Sequence, residues 1–375
     1  MNTSYTKGNA MSSKDDKYWK EYDGLQYAKH RLLQSYLAAW FPILSSWQGR
    51  VLYIDCHAGR GRHETGDEGS PILALRILNE HRSRDQILSN TEVIFYFFEI
   101  DQRNYQLLRD EIDALGSLPD KMVILPFQSD YEAHLRTAFG DLRSSGGQLA
   151  PSFAFVDPYG FSISMEFLNE ILSFPGTELL INFMYRYVSM AMTHEDQVEN
   201  MNMLFGNEQW KALPTIQEPS DRSYATIKLF SQALNAKYAT PMYMRAENGA
   251  LKYALIHATN HPRGREKIKE AMWGVTPDGT FSASEKDSPH QPVLLVPEPD
   301  LLPLESAIWQ EFSGRSADVY QMHEWLVDQL YLPKHLHAIL RSYRRLGVVE
   351  VSGYDPPFAF GKNPVFSFPC KKPGS

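Results

Sequence analysis

The sequence predicts an α/β protein, a doubly wound parallel sheet followed by a smaller helical unit that ends in a hairpin. Short apolar runs without polar alternation, VLYI (51–54), EVIFYFF (92–98), MVIL (122–125), SFAFV (152–156) and ELLINF (178–183), have the character of strands buried on both faces. Helical stretches separate them, and alternation of strand and helix is the pattern of a parallel sheet with helical crossovers. The 375 residues, 43% of them hydrophobic, exceed one typical domain and can bury a large core.

In chain order, the start MNTSYTKGNAMSSKDDK is polar without an apolar centre, so residues 1–20 read as a disordered tail rather than a secretory signal. Leu25, Ala28, Leu32, Tyr36 and Trp40 then recur at three- and four-residue steps and predict a helix lying beside the sheet. SPILALRILNEH opens with Ser70 as a cap and Pro71 in the first turn, and QRNYQLLRDEIDAL follows the second strand. Past the fifth strand come two helices, two strands joined at ENGA, and the helix HPRGREKIKEAMWG, which close a domain over 21–275. Residues 276–303, rich in Pro, Ser, Asp and Gly, read as a linker or surface excursion. Residues 304–375 hold three short helices and the segments VVEVSG and AFGKNPVFSFP, the order of a winged helix-turn-helix.

The net charge of −8 and pI of about 5.9 argue against a wholly cationic nucleic-acid surface, while leaving room for a local basic face. Cys56 and Cys370 are too few for a disulfide framework and predict a reduced, cytoplasmic setting. No run reaches the roughly eighteen apolar residues of a membrane helix. No metal is expected, since His57 and His63 flank one loop without a third ligand.

The stretch VLYIDCHAGRGR (51–62) delivers a strand into an acid, a histidine and two glycines. Gly59 and Gly61 let backbone approach a ligand at the carboxyl edge of the sheet. The nicotinamide fingerprint fails, because Glu64 stands where its third glycine belongs. DCHAGRG is similar instead to the nucleotide-methyltransferase form of the S-adenosylmethionine loop, with His57 where an aromatic or glycine is commoner. On that reading Asp55 lies near the amino-acid end of the cofactor and the glycines beneath its sugar; the alternative is a tight turn with no ligand. Glu99, ending FYFFE, is placed to accept both ribose hydroxyls, with Asp101 in reserve. Asp130 is a candidate for the adenine amino group or simply a helix cap. The fourth strand ends FVDPYGF, a departure from the D-P-P-Y loop of nucleic-acid amino-methyltransferases. There Asp157 and Pro158 are candidates to hold a target amine and Tyr159 to stack on its base, or else an acid and a proline merely end the strand.

KHRLLQSYLAAWFPILSSWQGRVLYIDCHAGRGRHETGDEGSPILALRIL, FVDPYGF, LIHATNHPRGREKIKEAMWG and the tail together resemble the three-Cys-motif partner proteins (TcmP). The resemblance covers most of the chain. It implies a Rossmann-like, class I methyltransferase-like domain with a C-terminal winged helix, in bacterial proteins often encoded beside a partner carrying a three-cysteine motif. It implies no settled reaction.

In the tail, KHLHAILRSYRR carries Lys334, Arg341, Arg344 and Arg345 without an acid, so a helix there is cationic and suited to phosphate contacts, or is a solvated basic face. Leu336, Ile339, Leu340 and Tyr343 read as its core side. Two functions follow: an S-adenosylmethionine-dependent methyltransferase acting on nucleic acid, or a non-catalytic protein of that shape binding nucleic acid or a three-Cys-motif partner.

Overall fold

The computed structural model describes residues 19–20, 22–46, 49–286 and 298–371. They form two compact units, one within Met1–Ala271 and Ser282–Pro292, the other within Met272–Phe281 and Val293–Ser375.

The first unit runs α1 (Gly24–Ser45), β1 (Gly49–Asp55), α2 (Ser70–Asn79), α3 (Arg84–Asn90), β2 (Thr91–Glu99), α4 (Gln102–Ala114), β3 (Met122–Gln128), α5 (Tyr131–Ser144), β4 (Ser152–Val156), α6 (Met165–Leu172), β5 (Thr177–Phe183), α7 (Tyr185–Ala191), α8 (Val198–Phe205), α9 (Pro219–Ala233), β6 (Tyr238–Arg245), β7 (Leu251–Thr259), α10 (Pro262–Val275) and β8 (Ser282–Ser284). The eight strands are ordered β3-β2-β1-β4-β5-β7-β6-β8. β1 to β5 are parallel, and β7 runs antiparallel to both β5 and β6. All five apolar runs are strands of this sheet. Successive residues point to opposite faces. Phe95 and Phe153, with the Tyr53 ring against both, therefore meet Tyr36, Trp40 and Phe41 of α1 on one side. Leu52, Ile54, Ile94 and Ala154 join the core on the other.

α1 starts at a capping box, in which Asp23 accepts from the Gln26 amide at 2.8 Å. Toward its other end Tyr36 donates to Glu178 of β5, which also accepts from the Thr259 hydroxyl at 3.0 Å, so the helix is anchored by buried hydrogen bonds as well as rings. Ser70, expected as a cap, belongs to the first turn of α2, whose cap is Gly69. Part of the predicted linker is ordered in the sheet: β8 pairs in parallel with residues 243–245 of β6. Among the described residues no strand pairs with the other side of 238–242, where the missing amide of Pro241 therefore deprives no described strand of a hydrogen bond.

The second unit contains α11 (Leu302–Phe312), β9 (Ser316–Asp318), α12 (Val319–Val327), α13 (Pro333–Leu346), β10 (Glu350–Ser352) and β11 (Val365–Ser367), with an antiparallel sheet ordered β10-β11-β9. Leu304, Ile308, Met322, Leu336, Leu340, Tyr343 and Phe366 form its core. The end of α10 belongs here, earlier in the chain than the predicted boundary. Trp273 donates to the Leu330 carbonyl at 2.9 Å and lies 4.3 Å from the His335 ring. Gly279, at φ 78°, is required because a Cβ would enter the Trp273 ring. Among the described residues no helix is long and apolar enough to cross a membrane, and no three His, Cys, Asp or Glu are grouped to hold a metal ion.

Candidate functional site

Strand order reverses between β1 and β4, and such a switch point opens a crevice at the carboxyl ends of the strands. Asp55 ends β1, Glu99 ends β2, Asp157 follows β4 and Asn182 lies one residue from the end of β5. Topology therefore gathers at one edge the acids that the sequence spreads over a hundred residues.

Asp55 is fully buried and works inside the loop, accepting from the His57 amide at 3.2 Å and bonding the Ser70 side chain. Burial pushes its carboxyl up to about 7, with Asp157 adding to the rise and the two hydrogen bonds opposing it. The two glycines differ. Gly59, at φ 64°, has no room for a Cβ because the Trp19 ring lies against it, and Trp19, which the sequence assigns to the tail, is 6% exposed. Gly61, at φ 82°, would direct a Cβ at Leu108, Glu111 and Ile72, so it serves the packing of α2 against α4 rather than a ligand beneath the loop. The loop is tied further by Gly69, whose amide donates to the Gly61 carbonyl at 2.8 Å, and by Arg60 on Asn104 at 2.8 Å.

Glu99 reaches across to the same loop. One carboxylate oxygen accepts from the Gly59 amide at 2.9 Å and the other from the Asp101 amide at 2.7 Å. Asp101 caps α4 through the Asn104 amide, and Asp130 caps α5 through the Ala133 amide at 2.8 Å. Asp101, the reserve for the ribose, and Asp130, the candidate for the adenine amino group, thus both have a local role as helix caps.

Asp157 is the centre of a buried polar group. Lys29 of α1 donates to one oxygen at 2.5 Å and Asn182 to the other at 2.5 Å, with Lys29 only 3% exposed. Burial disfavours the charge of Asp157, but Lys29 and the hydrogen bonds outweigh it and hold the carboxyl below the usual carboxylate range. His57 lies close enough for Asp157 and Asp130 to act on it, yet burial dominates and lowers its pKa to about 4. The imidazole is neutral near pH 7, and its Nδ1 is buried without a hydrogen-bond partner among the described residues. Its ring lies 4.8 Å from that of Tyr131. Pro158 is buried, whereas Tyr159 is 50% exposed, 6.1 Å from the Tyr187 ring, and Gly160 follows at φ 110°. A ring held in solvent at a strand end offers a face for stacking.

Lys29, His30 and Asn182 escaped the sequence reading. A signal existed: Lys29 stands four residues after Leu25 and three before Leu32, on the apolar face of α1, and Asn182 interrupts an apolar strand. His30 is likewise buried, 2.9 Å from the Tyr22 hydroxyl, and burial with the Lys29 charge drives its pKa well down.

In the second unit, Leu336, Ile339, Leu340 and Tyr343 are buried while Lys334, Arg341, Arg344 and Arg345 reach solvent, as helical periodicity requires. The guanidinium of Arg344 lies 4.3 Å from the Phe358 ring and that of Arg341 5.2 Å from Phe360, so rings after β10 hold two of the four cations in place.

No family model matches the chain, and no curated relative matches it. A crystal structure of protein LPL1258 from Legionella pneumophila str. Philadelphia 1, attributed to the family model DUF519, is similar at 12% identity and a TM-score of 0.34, over 68% of this chain and 92% of that one. A likeness at that level carries no functional argument.

Proposed function

We propose that the chain is an S-adenosylmethionine-dependent methyltransferase-like protein acting on or with nucleic acid, of the three-Cys-motif partner type that its sequence resembles. The observation that carries this reading is the bond between the Gly59 amide and Glu99, which joins the glycine loop after β1 to the acid ending β2. The sheet order and the reversed β7 beside β5 agree with a class I methyltransferase-like domain. The residues fit the cofactor's ribose end: Glu99 brings a carboxylate from the end of β2 onto the glycine loop, and His57 Nδ1, on that loop, is a buried polar atom with no hydrogen-bond partner among the described residues. When bound, S-adenosylmethionine supplies an electrophilic methyl group. The chain's own part is to hold the sugar with Glu99, to orient an incoming amine with the Asp157 carboxylate and to stack its base on Tyr159. The helix order of the second unit, with its strands β10 and β11, fits a winged helix whose α13 meets phosphates.

Calorimetry of the full chain with S-adenosylmethionine tests the reading. Binding should be measurable, and Glu99→Ala should weaken it by about 1–3 kcal/mol; absence of binding by the parent overturns it. A second reading, a non-catalytic binding protein of the same shape, is favoured by one observation: both oxygens of Asp157 are already taken, by Lys29 and Asn182. Transfer of labelled methyl to DNA or RNA, lost in Asp157→Asn with cofactor binding retained, separates the two.

A further inference from the structure

A second ligand site is built on the first unit, on elements that the strand-end cluster does not use. Between α9 and β6 lies a groove of about 540 Å3 lined by Tyr224, Lys228, Lys237, Tyr238, Tyr243 and Arg265, among others, and among the described residues by no aspartate or glutamate. This is unexpected on a chain of net charge −8. The sequence explains the convergence. Tyr224, Lys228 and Ser231 follow one another at helical steps along α9, Tyr243 stands on the partly exposed side of the alternating strand β6, and Arg265 comes from the first turn of α10.

The lysines lie along the groove without being neutralised. Neither Lys228 nor Lys237 has an ion pair among the described residues. Arg265 lies 4.9 Å and Lys237 5.2 Å from the Tyr238 ring, one ring steadying both. The Ser231 hydroxyl, on the same wall, is buried with no hydrogen-bond partner among the described residues. Positive charges gathered on walls where the described residues include no acid, beside a hydroxyl those residues do not bond, are the complement of an anion. Tyr224 adds a different feature. It is 47% exposed, its position is set by an edge-on approach to Tyr243 at 5.1 Å and by a bond from Arg245 at 3.1 Å, whose guanidinium lies 5.8 Å from the ring centre, and its exposed half is an aromatic surface lining the groove.

We propose that this groove binds a phosphate-bearing nucleoside, with phosphate against Lys228, Lys237 and Arg265 and the base on Tyr224. A free nucleotide and a segment of single-stranded nucleic acid share that chemistry. The proposal does not depend on methyl transfer.

The test titrates the full chain with AMP by calorimetry, and with a fluorescein-labelled oligothymidylate of about eight nucleotides, within the span one such groove tracks, by anisotropy across a salt series. Lys228→Glu with Lys237→Glu should weaken whichever ligand binds by about tenfold or more, and should lower the oligonucleotide's salt slope by about 0.7 for each phosphate no longer met. Tyr224→Leu should weaken it about fivefold or more through lost stacking. Saturation by AMP identifies a nucleotide site; binding of the oligonucleotide with AMP inert identifies a strand site. No binding of either ligand by the parent overturns the proposal. So does affinity within about twofold in the Lys228/Lys237 variant; loss of oligonucleotide binding in Arg341→Ala/Arg344→Ala/Arg345→Ala instead would then locate the site on α13. Both lysines are exposed, and a matching thermal melt checks the fold; should the double reversal unfold the chain, Lys228→Gln with Lys237→Gln carries the same comparison.

Discussion

Lys29 of the first unit and the arginines of α13 in the second are cations treated in opposite ways. Lys29 is removed from water and held by Asp157, which Asn182 also binds. Arg341, Arg344 and Arg345 stay in solvent, and the rings of Phe360 and Phe358 position two of them without cancelling their charge. A buried charge becomes a requirement of the fold, because removing its partner strands an ion in a poorly solvating interior. An exposed charge contributes little to stability and remains available to a polyanion.

The largest effect should come from breaking the buried pair. Lys29→Ala is expected to lower the unfolding free energy by about 3–5 kcal/mol in urea titrations, and Lys29→Met with Asp157→Leu should restore most of it. A loss for Lys29→Ala no greater than that of an exposed lysine would place the pair outside the folded state's energetics.

The glycines of the loop come next. Gly61→Ala forces a Cβ to within 3.2–3.3 Å of Leu108, Glu111 and Ile72 at φ 82°, and should destabilise by about 1–3 kcal/mol. S-adenosylmethionine affinity should change less than in Glu99→Ala, since this Cβ faces helices. A variant of parental stability with abolished ligand binding would return Gly61 to the ligand side of the loop.

Acidification sharpens the comparison. In the second unit, burial lowers His335 and His337 to about 4, with Lys334 acting on the first and His323 and Arg341 on the second. The unfolded chain takes up these protons near pH 6.5 and the folded chain only near 4, so stability is lost as pH falls through that window. In the first unit His57 has the same sign. Asp55 has the opposite sign, because its folded value near 7 exceeds the unfolded one and its contribution falls as pH rises from about 4 to 7. Hydrogen exchange at pH 6.5 and pH 4.5, about the ends of that window, should show α13 losing protection more than β1. In Asp55→Asn the opposing slope is gone, and β1 should then weaken with acid as well. Equal pH responses of β1 in parent and variant would remove Asp55 from the linkage.

The smallest effect on stability belongs to the tail. Replacing Arg341, Arg344 and Arg345 by alanine should change the melting of the chain little, about 0.5–1 kcal/mol for each guanidinium taken off its ring. If these side chains meet phosphates, the salt slope of duplex-DNA binding should shrink by about 0.9 per phosphate. An unchanged slope would leave α13 as a protein-docking face.

Much of this molecule was legible in local pattern. The five apolar runs, the periodicity of α1 and α13, and the acids and glycines at strand ends depend on residues close in sequence, and burial of one face writes that dependence directly into the chain. The tail's helices were equally legible, whereas three-residue β9 and β8 were not, since strands so short acquire meaning only from the neighbour they pair with.

The sequence by itself determined the alternating α/β layout, the acids Asp55, Glu99 and Asp157 at the ends of their strands, and a basic helix face near the end of the chain. Only the tertiary structure decided their partners. It closed Glu99 onto Gly59 across 40 positions, set Lys29 against Asp157 across 128, turned Gly61 toward α4, and gathered Lys228, Lys237 and Arg265 around a groove beside β6. The physical reason is that strand and helix periods are set by neighbouring residues, while charge, burial and pKa depend on which distant groups share a desolvated space, and that is fixed by the order in which strands pair.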